Sequence, residues 1–234
     1  MIRNIIATIV LAVLSILSVA AQCPNNEVWY TTNDGKKADI YCYVNQDNRI
    51  ISHTFGNGKG VIKMEADLVD LNISFKYCRN LSTVTLPGSL ESISYSSFEN
   101  CSSLESVNIP TGVTTIAESA FAGCASLKDI TIPSGVQKIP IMAFAKCVSL
   151  TSVEIPEGVT SIDVAAFEGC TGLTSVQFPS TLTSIENRAF ARCTSLLEVT
   201  IPRSVTTVGC PFPGCTQIES TKGKLASSDG RCSI

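Results

Sequence analysis

The stretch FAGCASLKDITIPSGVQKIPIMA, residues 121–143, is one turn of a pattern that runs through most of the chain. Cys78, Cys101, Cys124, Cys147, Cys170 and Cys193 fall 23 residues apart without a slip. Each follows a phenylalanine by three places: Phe75, Phe98, Phe121, Phe144, Phe167 and Phe190. Each precedes a leucine by three: Leu81, Leu104, Leu127, Leu150, Leu173 and Leu196. Six residues after every leucine stands a proline, Pro87, Pro110, Pro133, Pro156, Pro179 or Pro202. A period this regular means one supersecondary unit copied and stacked.

Inside the unit, Ile130 and Ile132 alternate with Asp129 and Thr131, the signature of a short strand with its isoleucines inward. Pro133 closes the strand because it has no N–H for a ladder. Val136 and Ile139 make a second extended piece, with Gln137 and Lys138 outward. Residues 141–143 are expected to form a helical turn that presents Phe144 to the core. One coil cannot bury this inward set alone, but copies stacked about 4.8 Å apart bury it continuously. The expected fold is a mainly β repeat solenoid over residues 71–219: a right-handed stack with short parallel strands and single helical turns, comprising six full repeats and a partial one. Near its end, Cys210-Pro211-Phe212-Pro213-Gly214-Cys215 keeps the core spacing but arrives one residue early.

The pattern F-x-x-C-x-x-L-x-x-V-x-I-P-x-x-V-x-x-I resembles the leucine-rich repeat of the BspA-like surface proteins, from Phe75 to about Ile218. The resemblance implies export, a cell-surface setting and, for some members, adhesion to host matrix or plasma proteins.

The flanks differ in composition. Arg3, the apolar run from Ile5 to Val19 and the small residues Ala20 and Ala21 read as a signal peptide over residues 1–21, cleaved before Gln22. An uncleaved anchor and a lipid on Cys23 are the competing readings. Residues 22–70 do not repeat. Val28 to Thr32, the turn at Asp34-Gly35 and Ile40 to Val44 read as one hairpin; Ile50 to Phe55 and Val61 to Met64, joined through Gly56 to Gly60, read as another. These would form an N-terminal β cap covering the first coil, or a small recognition module using Trp29, Tyr30, Tyr41 and Tyr43. Residues 220–234 read as a polar tail, leaving the last coil's edge open to self-association.

Catalytic and metal chemistry finds little purchase. No C-x-x-C pair occurs, and His53 is the single histidine, placed away from the ladder cysteines. No phosphate-binding glycine loop or nucleophile elbow is present. The sequence therefore predicts no enzyme, no metal and no cofactor. With a net charge of −3 and no basic run, it also predicts no nucleic-acid partner. No membrane insertion is expected once the signal is removed. The ladder cysteines are expected to be free core thiols, since parallel Cβ vectors suit a disulfide dihedral poorly. Cys23 with Cys42 and Cys210 with Cys215 are candidate bridges, and Cys232 has no obvious partner.

Function is then expected on the outside. Asp129, Thr131, Ser152, Glu154, Ser175, Gln177, Glu198 and Thr200 form a Ser/Thr-rich candidate protein-contact face without aromatic anchors. Such a face suits broad, multivalent contact. The expected role is an exported, adhesin-like module that binds an extracellular protein through this face or the head. The alternative is a structural envelope component that pairs with itself or another envelope protein.

Overall fold

The structure is a computed structural model that describes residues 23–42, 49–218 and 220–222. The head contributes β1 (Glu27–Thr32), β2 (Tyr41–Cys42), β3 (Ile50–Gly56) and β4 (Lys59–Met64). The coils add β5 (Asp70–Leu71), β6 (Ile73–Ser74), β7 (Leu81–Thr85), β8 (Ser92–Ile93), β9 (Ser106–Asn108), β10 (Thr115–Ile116), β11 (Lys138–Ile139) and β12 (Ser152–Glu154). They continue with β13 (Ser161–Ile162), β14 (Ser175–Gln177), β15 (Ser184–Ile185), β16 (Glu198–Thr200), β17 (Thr207–Val208) and β18 (Ser220–Lys222). The molecule is a mainly β solenoid with parallel strand pairing between successive coils, as the period predicts.

A column of stacked phenylalanines fills its centre. Phe75, Phe98, Phe121, Phe144, Phe167, Phe190 and Phe212 lie with ring centroids 5.1–5.5 Å apart and nearly parallel planes. The six ladder leucines and the alternating residues Ile130, Ile132, Val153 and Ile155 are buried beside it. Tyr30 ends the column, set edge-on to Phe75 at 5.9 Å. A side chain at Gly60 would collide with that ring, so the bare backbone of β4 is what admits it.

The segment around each phenylalanine corrects one expectation: it is not a helical turn. In the coils of Phe98 to Phe190, residues two before and two after the phenylalanine have positive φ, as at Met142 (φ 54°) and Lys146 (φ 60°), which no right-handed helix accommodates. The amides of Met142, Phe144 and Lys146 donate across to Val164, Ala166 and Glu168 of the next coil. Those of Ala143, Ala145 and Cys147 close tight turns within their own coil. Alternate amides thus serve a third parallel ladder, the turn face, which runs from Phe75 to Phe190.

The head pairs differently from the expected double hairpin. β3 and β4 do form a hairpin through Asn57 and Gly58, both at positive φ. β1 does not pair with β2. It lies antiparallel between β4 and β7, so both its edges are taken, and it covers the strand of the first coil. β2 instead pairs with β6. Tyr43 and Val44 lie outside the described residues. At the other end, residues 220–222, read from sequence as tail, form β18 and continue the ladder parallel to β16. The single-residue slip is preserved in this register, Glu198 facing Ser220.

Candidate functional site

The strand face carries the side chains singled out from sequence. Asp129, Thr131, Ser152, Glu154, Ser175, Gln177, Glu198 and Thr200 are all exposed. The structure brings four of them into direct register: Ser152 opposite Ser175 and Glu154 opposite Gln177. The row is not one sheet, however. Residues 129–131 form no strand, and β14 and β16 belong to different sheets.

The second ladder also divides, at the coil that carries a proline. The amides of Ala117, Asp163, Glu186 and Gly209 each donate to the isoleucine carbonyl one coil back, at 2.8–2.9 Å. The equivalent position in the coil between is Pro140, which has no N–H to give. The Gln137 amide also lacks the bond to the preceding coil that Thr114, Thr160, Thr183 and Thr206 make, and β10 and β11 do not pair. A cleft of about 410 Å³ opens between them, lined by Thr114, Thr115, Ile116, Gln137, Lys138 and Pro140. Lys138 is held at its rim by Asp163 at 2.7 Å. The signal for this cleft was present in sequence, in the replacement of an Ala, Asp, Glu or Gly position by proline.

The turn face holds what the sequence reading missed. Tyr77 and Tyr95 are each 56% exposed, on positions where other coils carry small, charged or aliphatic residues. On the same face Lys76 Nζ meets Glu99 Oε2 at 2.6 Å. Further along, Ile141, Met142 and Val164 make an exposed apolar step. Beyond it, Arg188 pairs with Glu168, and the cations of Arg188, Arg192 and Lys146 hold the Glu168 carboxyl below its usual range, Arg188 most strongly. Side chains of distinct character thus gather on the turn face, while the strand faces stay Ser/Thr-rich.

The ladder cysteines are free thiols and do more than fill volume. Each of Cys101, Cys124, Cys147, Cys170, Cys193 and Cys215 directs Sγ to the carbonyl of the phenylalanine one coil back, at 2.9–3.3 Å. Burial pushes the Cys170 thiol up to about 12 and Cys124 and Cys147 well above the usual thiol range. Two candidate bridges are corrected. Cys23 is a free thiol donating to the Glu27 carbonyl. Cys215 is free in its ladder position, so although Cys210 is disulfide-bonded, its partner is not Cys215. Cys232 lies outside the described residues.

In the head, Trp29 is half-buried under Lys59 and donates to Glu27. Tyr30 is core rather than recognition surface, its hydroxyl accepting from the Ala38 amide and facing His53 Nε2 at 2.7 Å. Of Tyr41 only the backbone is described. Among the described residues, no group of three His, Cys, Asp or Glu side chains is placed to hold a metal ion.

These coils have known counterparts. The BspA type leucine rich repeat region family matches the chain in 6 copies, over residues 71–170 and 138–224. The chain is similar to a leucine rich cell surface protein from Faecalibacterium prausnitzii A2-165, with 37% identity and a TM-score of 0.56. That alignment covers 60% of this chain but 38% of the other, so this chain spans well under half its length. It is also similar to a leucine rich repeat protein from T. pallidum, with 29% identity and a TM-score of 0.60, over 66% of this chain and 73% of that one. A leucine-rich repeat protein from Eubacterium ventriosum ATCC 27560 shares the fold at 21% identity and a TM-score of 0.51, over 64% and 46% of the two chains. No curated protein matches. With the repeat motif, the coil geometry and the family match agreeing over most of its length, the chain belongs to the BspA-type leucine-rich repeat family.

Proposed function

We propose that this chain is a non-catalytic, surface-associated binding module whose partner is an extracellular protein. The observation that carries this reading is a division of labour along the period. The phenylalanine, cysteine and leucine ladders are buried and alike from coil to coil. The outward pairs differ from coil to coil, from Asp129 and Thr131 to Ser152 and Glu154, Ser175 and Gln177, Glu198 and Thr200, although Ser152 and Ser175 match. A framework that holds its core constant and varies its surface suits recognition spread over many weak contacts. Carboxyls shifted from their usual range, Glu99, Glu157 and Glu168, are accounted for by an ion pair or hydrogen bonds rather than by a cleft poised for catalysis. The similarity to a cell surface protein supports the setting.

The test is binding of the chain to immobilised fibronectin, fibrinogen and an unrelated acidic protein across a salt series. Saturable binding to one of the first two is expected, weakened by the pair Glu154→Lys and Gln177→Lys with the melting temperature unchanged. Flat traces for all three, with a scattering mass that grows with concentration, would instead identify an envelope component that assembles with itself.

A further inference from the structure

Tyr77 is the one aromatic side chain at its position in the coil. Its φ is 65°, in the left-handed region that bulky residues avoid. At the same position the other coils use Asn100, Gly123, Lys146, Gly169, Arg192 and Gly214. Such strain costs on the order of 1 kcal/mol or more unless packing offsets it. Here more than half of the residue faces solvent, so little packing does so. Tyr95, on the next coil, is equally exposed. The Lys76 ammonium sits 5.3 Å from the Tyr77 ring centroid. The Tyr77 amide donates to the Glu99 carbonyl at 2.8 Å, and Tyr95 precedes Glu99 by four residues on the same coil, so both tyrosines share the turn face with the Lys76–Glu99 ion pair.

We infer that Tyr77, Tyr95, Lys76 and Glu99 form a binding site for a neutral saccharide on the turn face. Each ring offers an apolar face to the C–H side of a pyranose while keeping its hydroxyl in water. On the same face, the ammonium has donors left over from its one ion pair, and the carboxylate has spare lone pairs. A sugar hydroxyl both donates and accepts, so it suits an adjacent donor and acceptor. Because Glu99 balances Lys76 at 2.6 Å, the pair carries no net charge to select an anion. This site lies on a different face from the proposed protein contact and stands or falls separately from it.

The experiment is affinity electrophoresis of the protein expressed from its full-length sequence. Gels are cast with mannan, xylan, a β-1,3-glucan or, as an acidic control, polygalacturonate. Retardation by at least one neutral polymer is expected, with a dissociation constant that rises at least tenfold in Tyr77→Gly and in Tyr95→Ala. Tyr77→Gly separates binding from folding, because relief of the left-handed strain leaves the melting temperature equal or higher. The inference is overturned by no retardation in any neutral gel, by retardation in the acidic gel alone, or by neutral-gel retardation that Tyr77→Gly leaves intact. Loss of protein binding in Tyr77→Gly without any saccharide retardation would likewise overturn it and make these tyrosines a protein hot spot.

Discussion

At His53, burial acts first and the nearby Lys37 cation second to bring the imidazole pKa down to about 4, against an ordinary value of 6.5. The Tyr30 hydroxyl accepts from the Ala38 amide and lies 2.7 Å from His53 Nε2, to which it donates its own proton when the ring is neutral with that nitrogen bare. The unfolded chain therefore binds a proton between pH 6.5 and pH 4 that the native state refuses. Stability from this residue is complete above pH 6.5 and is lost as the pH falls toward 4. Discounted for solvent screening, the loss is about 1 kcal/mol, a fall of ~2–4 °C in melting temperature. Melting curves of the parent and His53→Gln between pH 7 and pH 4 should converge at the acid end; parallel curves would refute the assignment. The thiols make a second residue-scale prediction. With their pKa values raised by burial, Cys101, Cys124, Cys147 and Cys170 should resist iodoacetamide at pH 8 in the native state and react in urea, as peptide mass mapping would show. That these cysteines are buried was legible from their spacing between Phe and Leu. Their bonds to the phenylalanine carbonyls were not, because the partner sits 26 residues away on the preceding coil.

Among the elements, the gap between β10 and β11 coincides with the N–H that Pro140 lacks. Pro140→Asp supplies the residue that the next coil carries at Asp163. Two effects oppose each other: a regained hydrogen bond is worth about 1 kcal/mol, and removing a proline loosens the unfolded chain by about 0.4–1 kcal/mol. Stability should therefore move by less than ~1 kcal/mol, while the new amide at position 140 exchanges at least tenfold more slowly than an exposed one. Fast exchange at that amide would show that something other than proline holds the strands apart. The coils themselves could be read because a fixed period dictates which residues stack. The head could not be read as well, because β1 has sequence-local and distant partners that look alike until the edge of β7 must be covered. The turn segments misled for a related reason. Residues such as Ile141, Met142 and Ala143 suit a helix locally, but the demand of the neighbouring coil for every second amide overrides that preference.

For the molecule as a whole, stability resides in interfaces between neighbours, and the phenylalanine column joins them. Phe144→Ala should cost ~3–5 kcal/mol, the usual range for emptying such a buried site. Its effect should be uneven. The coils of Phe167 and Phe190 lose their link to the head, so their amides should gain exchange faster than those around Phe98, as mass-resolved hydrogen exchange would report. Uniform acceleration along the chain would mean that the stack unfolds as one unit. The seam at Pro140 then acquires a mechanical meaning. Three parallel ladders resist bending of the stack, yet around the coil of Leu127 to Pro140 both strand ladders are interrupted and only the turn ladder is continuous. Pulled at its two ends, such a rod is most compliant there: the turn ladder acts as the hinge line, the cleft widens first, and the coils on either side yield later.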